Sequence, residues 1–159
     1  MPKLIGLDKY DLALLDRVQD TTRESSEELG KRVGLSATAC QRRLKRLREQ
    51  GYIKADVALV EPETLSRSIT AVVEVTVERE RPDVIDSFKK AMMDTQEVQQ
   101  CYYVTGNTDF YLLVTAQDMA DYEAFTRRFM QQNPDVRRFN TNVVMDTVKA
   151  STKIPVPKA

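Results

Sequence analysis

The stretch from Ser25 to Tyr52, SSEELGKRVGLSATACQRRLKRLREQGY, constrains the fold more than any other part of the chain. Ser25-x-x-Glu28 has the spacing of a capping box, in which serine and glutamate side chains satisfy the free amides at a helix start. Leu29 and Val33 follow as an i, i+4 apolar pair. Gly34 stands where the chain must turn sharply, and glycine adopts positive φ without a steric penalty. Ser36 is placed to cap a second helix, which Gly51 ends. Two helices joined in this way predict a helix-turn-helix.

Laid out at about 100° per residue, the second helix puts Cys40, Leu44 and Leu47 on one face. Thr38, Arg42 and Lys45 fall on the opposite face, with Gln41 and Arg46 flanking them. Between Lys31 and Lys54 the basic residues are Lys31, Arg32, Arg42, Arg43, Lys45, Arg46, Arg48 and Lys54, against the acidic Glu49. The first thirty residues have the reverse bias, and the formal net charge of the whole chain is zero. Only the distribution of charge therefore points to a partner, and it points to double-stranded DNA. Thr38, Gln41 and Arg42 are the candidates for base edges, because the N-terminal residues of such a helix reach the groove floor. Arginine pairs bidentately with guanine and glutamine with adenine. Arg43, Lys45 and Arg46 are expected at phosphates or in solvent. The helix N-termini at Ser25 and Ser36 offer backbone amides to further phosphates. The competing reading is a basic face that is merely solvated; the capping box and the spacing of Gly34 favour DNA.

Helical spacing at Leu12, Leu15 and Val18 predicts a first helix over Asp8–Asp20, with Asp8 or Asp11 near its N-terminus. Ile53, Ala55, Val57 and Leu59 alternate as in a strand, so residues 1–60 form a helix-turn-helix domain with a linking strand. Glu61-Pro62-Glu63 breaks that pattern and opens a linker over 61–66. Residues 67–149 read as strand, helix, strand, strand, helix, strand. Alternation runs through Ala71, Val73, Val75 and Val77, and a turn is expected over Arg79–Asp83. A helical stripe follows at Val84, Ile85, Phe88, Ala91 and Met92. Val98–Val104 and Phe110–Val114 flank a turn, and the all-apolar second run predicts a central strand covered on both sides. Tyr122, Phe125 and Phe129 mark another helix, and Phe139, Thr141, Val143 and Met145 the last strand. The fold class is α+β, with a ferredoxin-like C-terminal domain. Two helices cover one face of a four-stranded sheet; the other carries apolar residues and predicts a dimer or larger assembly. The tail over 150–159, with Pro155 and Pro157, is expected to be loose.

The chain has no histidine, the commonest general base and metal ligand. Its two cysteines, Cys40 and Cys101, form no CxxC motif and read as small buried hydrophobes. Asp94, Asp109 and Asp118 lack the accompanying groups of an active site, so an enzyme is not expected. No apolar run approaches the about 20 residues that span a bilayer, nor is there a secretory signal. The cytoplasm is the expected location.

Three blocks resemble the Lrp/AsnC family of transcription regulators. The first is Leu29-Gly30-Lys31-Arg32-Val33-Gly34-Leu35-Ser36 with Thr38, Cys40, Arg43-Leu44 and Leu47 through Ile53. The second is Val104-Thr105-Gly106-Asn107-Thr108-Asp109-Phe110, similar to the family's G-x-x-D turn, and the third Val144-Met145 with Val148-Lys149. The resemblance implies a winged-helix-like N-terminal domain, a C-terminal effector domain, and dimers that assemble further, commonly to octamers. It also implies an amino-acid effector bound between dimers near Thr105, Gly106, Asn107, Thr108 and Asp109; from the residue inventory, no metal and no other cofactor is expected. Read from residues alone, that turn stays open between a plain hairpin and a ligand seat. Ser36-Ala37-Thr38-Ala39-Cys40 departs from the family's Ser-Pro-Thr-Pro-Cys; alanine keeps the helix. An effector-independent protein that bends DNA is the alternative function.

Overall fold

The computed structural model describes residues 6–78 and 81–157. The chain divides into two compact units, Met1–Leu59 with Lys149–Ala159, and Val60–Val148.

The first unit is built on α1 (Lys9–Val18), α2 (Ser26–Val33) and α3 (Ala37–Glu49). Each helix starts on a side-chain cap. Asp8 and Asp11 form a capping box, Ser25 and Glu28 form the expected one, and Ser36 Oγ accepts from the Ala39 amide at 3.2 Å. Gly34 closes α2 with φ of 76°, in the left-handed region that favours glycine. Gly30, inside α2, has a different role: a Cβ there would lie 2.4 Å from the carbonyl oxygen of Leu35. The turn is tight because Gly30 has no side chain. Leu14, Leu29, Cys40, Leu44 and Leu47 form the core, with Val18, Val33 and Ile53 packed against it. Each such buried leucine contributes about 1.5–3 kcal/mol.

Two expectations change here. Residues 54–61 are not a strand, and Val57, Leu59 and Val60 are 69%, 79% and 60% exposed. Alternation becomes a strand only where a neighbour supplies ladder bonds, and no described strand pairs with this segment. Second, residues 151–157 are held against α1 at Lys153 and Ile154. The Lys153 ammonium lies 2.8 Å from Asp20 and 3.2 Å from Asp16, and the Ile154 amide donates to Gln19 Oε1 at 2.8 Å. These contacts are polar and join residues more than 130 apart, so no local pattern announces them.

The second unit begins with a 3-10 turn, Pro62–Leu65. Strands β1 (Ile69–Val77), β2 (Val98–Tyr103), β3 (Phe110–Ala116) and β4 (Val136–Val143) form one antiparallel sheet in the order β2-β3-β1-β4. Helices α4 (Pro82–Asp94) and α5 (Met119–Gln132) complete the βαββαβ order. The turn expected over Arg79–Asp83 lies partly outside the described residues. Ala71, Val73, Val75, Phe110, Leu112 and Val114 pack against Phe88, Phe125 and Phe129. Ring centroids of Phe88 and Phe110 are 4.5 Å apart.

β3 is interior to the sheet; one side of it is buried throughout, and the other is buried only at Thr115, beneath Arg67. Tyr111 on the other side is 38% exposed, opposite Tyr102 of β2 at 56%. Val72 and Leu113 are register partners on this open face and are half-buried. Toward β4 the face turns polar, with Glu74 opposite Asn140 and Val72 opposite Asn142. It is therefore apolar around Val72, Tyr102, Tyr111 and Leu113, with Gln100 beside Tyr102, and polar at β4, rather than apolar throughout.

Candidate nucleic-acid interface

The orientation of α3 is fixed by a buried carboxylate. Asp11, 1% exposed, receives hydrogen bonds from Arg43 Nη1 at 2.8 Å and from Arg46 Nη2 at 2.5 Å. Arg43 also pairs with Asp8 at 2.8 Å and lies 5.6 Å from the Tyr10 ring centroid. The Asp11 backbone amide, and then Arg43, hold the Asp8 carboxyl below its usual range. Asp11 in turn raises the Arg43 guanidinium. Two positive and two negative charges cancel here, around the buried Asp11. The Nε atoms of Arg43 and Arg46 are buried with no acceptor among the described residues. Such orphaned donors carry a cost, so this cluster fixes geometry more than it adds stability.

The opposite side of α3 is open. Thr38, Gln41, Arg42 and Lys45 are exposed and fall within about a third of a turn on the helix. Arg42 makes no ion pair among the described residues. Lys45 stands 3.7 Å from Glu49, a distance at which the pair is weak. Arg48 is bound to Asp56 at 2.9 Å, Lys31 to Glu27 at 2.8 Å and Arg32 to Glu24 at 3.0 Å. Ser25 and Ser36 remain exposed at the starts of α2 and α3, their hydroxyls engaged in capping. Of the eight residues expected at DNA, six thus face solvent together and two, Arg43 and Arg46, turn back onto α1.

An open groove runs beside this face, lined by Thr22, Glu24, Ser26, Gln41, Lys45 and Arg48 among others. Thr22, Ser26 and Arg48 were not among the expected contacts. Thr22 falls in the polar gap before the capping box, where spacing carries no signal. Glu24 braces the groove floor: Arg17 binds it through two nitrogens, and these bonds, then Arg32, hold its carboxyl below the ordinary range.

In the second unit, Thr108 and Asp109 are buried and committed to the sheet. Thr108 Oγ1 donates to the Val75 carbonyl at 2.8 Å. The Asp109 amide donates to the same carbonyl at 3.1 Å, and its Oδ2 accepts from the Val77 amide at 2.8 Å. Register pairing of β1 with β3 stops at Val75 and Phe110, and these side chains carry the bonding past it. Thr105, Gly106 and Asn107 are exposed at the tip. Asp109 therefore secures the turn through Oδ2.

Residues 7–48 match the AsnC-type helix-turn-helix domain, and residues 70–154 the Lrp/AsnC ligand binding domain. An uncharacterized HTH-type transcriptional regulator of Sinorhizobium fredii is 55% identical over 150 residues, covering 94% of this chain and 89% of that protein. The leucine-responsive regulatory protein of Escherichia coli is 37% identical over 150 residues, covering 94% and 92%. Among solved structures, an AsnC family transcriptional regulator from Agrobacterium tumefaciens superposes with a TM-score of 0.89 at 28% identity, over 94% of this chain and 97% of that one. A transcriptional regulator from Neisseria meningitidis, solved as its complex with L-Met, gives 0.88 at 30% identity, over 94% and 96%. With a reading helix braced on one side and open on the other, and a ligand-binding sheet domain after it, this chain belongs to the Lrp/AsnC family of DNA-binding transcriptional regulators.

Proposed function

We propose that the chain reads duplex DNA with Thr38, Gln41 and Arg42 at base edges and Lys45 at phosphates. Ser25, Ser36 and the groove residues Thr22, Ser26 and Arg48 supply the remaining backbone contacts. Arg43 and Arg46 act as struts that aim α3 rather than as contacts. The observation that carries this reading is Arg42: it is exposed on the open face of α3 with no carboxylate partner among the described residues, while both neighbouring strut arginines are engaged. Such a guanidinium breaks no ion pair when it meets guanine.

The functional particle is a homodimer or a larger assembly such as an octamer. Support comes from the half-apolar open sheet face around Val72, Tyr102, Tyr111 and Leu113. Two reading helices then address half-sites about one helical turn, or a multiple of it, apart. An amino acid modulates binding. The exposed tip at Thr105, Gly106 and Asn107 offers backbone amides to its carboxylate, and a neighbouring subunit supplies the acceptor for its ammonium. The L-Met complex of the Neisseria relative supports that ligand class.

Calorimetry with the common amino acids, followed by footprinting with and without the one that binds, tests the proposal. Binding that alters the footprint is expected. A footprint unchanged by every amino acid favours the architectural reading instead.

A further inference from the structure

The C-terminal segment belongs to the first unit, and the DNA reading does not use it. Its docking point is the end of α1, where Asp16, Gln19 and Asp20 lie close together. The Lys153 ammonium sits between the two carboxylates, 3.2 Å from Asp16 and 2.8 Å from Asp20. Gln19 grips the next residue at both polar atoms. Ile154 N–H donates to Gln19 Oε1 at 2.8 Å, and the Ile154 carbonyl accepts from Gln19 Nε2 at 3.2 Å. The N–H and C=O of an extended residue point to the same side, so one amide side chain satisfies both.

Three physical features suit these partners to each other. Ile154 and Val156 each precede a proline, which biases them to extended backbone before docking and lowers the entropy lost. Asp16 and Asp20 stand at the C-terminal end of α1, where the helix dipole disfavours negative charge and a cation offsets it. Asp20 also faces Arg17 at 3.7 Å, and Arg17 binds Glu24, which pairs with Arg32 of α2. The tail cation thus ends a row of alternating charges that runs to the helix before the reading helix. Burial is slight, so specificity rests on the two-point amide grip and the lysine together.

The chain leaves the first unit at Leu59 and returns to it at Lys149. The first unit is consequently joined to the second by two stretches of chain, and the second stretch is pinned at Lys153 and Ile154.

We infer that the acidic end of α1 is a docking surface for the chain's own segment Ser151–Pro157, and that this strap restrains the DNA-reading unit so that two copies engage paired half-sites together. The inference rests on the DNA reading proposed above. A restrained reader raises the effective concentration of the second helix at its half-site without adding a DNA contact.

The test uses the full-length protein and the operator selected from random duplexes, as a paired site and as a single half-site. Ile154 amide exchange reports docking in the absence of DNA. Wild type should protect that amide and prefer the paired site. Lys153→Glu and Gln19→Ala should lose the protection and reduce the paired-over-single preference about three- to tenfold, whereas Lys153→Arg should keep both. Single-half-site affinity should change little in Gln19→Ala, which separates restraint from a general fault in folding. An unprotected Ile154 amide in wild type, or an unchanged preference in Lys153→Glu, overturns the strap. A wild type with a protected amide that selects no DNA overturns the DNA reading instead, and with it any function of the strap in binding.

Discussion

Arg43 Nη1 lies 2.8 Å from Asp11 Oδ1, so the reading helix is anchored to α1 by a carboxylate that water scarcely reaches. Removing that carboxylate leaves two guanidinium groups facing a buried gap. Asp11→Ala should destabilise the helix-turn-helix unit by about 3 kcal/mol, the lower end for breaking such a cluster because both arginines keep some contact with solvent. Chemical denaturation of the full-length protein measures it. A loss under about 1 kcal/mol would show that the cluster is not a brace.

Gly30→Ala places a methyl group 2.4 Å from the Leu35 carbonyl oxygen. Alanine is the better helix former by about 1 kcal/mol, so propensity alone predicts stabilisation. The clash is with backbone and cannot be relieved by a rotamer change. A net loss of about 1–3 kcal/mol is expected, read as a lower thermal midpoint. A midpoint at or above that of wild type contradicts the tight turn.

Asp109→Ala removes the acceptor of the buried Val77 amide at 2.8 Å. The expected cost is about 1–3 kcal/mol, with the effector domain destabilised even in the absence of ligand. If Asp109 acted only on the ligand, the unliganded variant would melt with wild type.

Glu24 gives a pH dependence whose sign follows from its lowered carboxyl, held down first by Arg17 and then by Arg32. A carboxylate lowered on folding stabilises the folded state above its unfolded range and loses that contribution as pH falls through its folded value. The stability difference between wild type and Glu24→Gln should be full at neutral pH and shrink below about pH 4. Acid titration of both proteins checks this, and a difference that grows on acidification contradicts it.

The sequence carried the three helices, their starts and the βαββαβ order of elements, because these rest on local spacing: Ser25 with Glu28, Gly34, and the alternation through Val73 and Val75. It also carried the outward face of α3, since a helix angle follows from residue number. It set Arg42 at base edges and Arg43 at phosphates or in solvent, and so missed that Arg43 turns inward onto Asp11. Both are basic and adjacent, and their roles diverge through Asp11, 32 residues before Arg43. The same limit hid the second use of Asp109, whose partner Val77 lies on another strand. Lys153 and Asp20 pair across 133 residues. The alternation at Val57 and Leu59 marks residues suited to a strand, yet pairing needs a neighbour that local pattern does not supply.

In the proposed function the open face of α3, and Arg42 in particular, reads base sequence while Arg43 holds the helix in place. Affinity of wild type and Arg42→Ala for the selected operator and for a scrambled duplex at fixed salt tests it most directly. Arg42→Ala should cost about 1–3 kcal/mol on the operator, with little change on the scrambled duplex, and leave the thermal midpoint unchanged. Equal affinity for operator and scrambled duplex in both proteins, or an equal loss on both duplexes in the variant, would contradict the account.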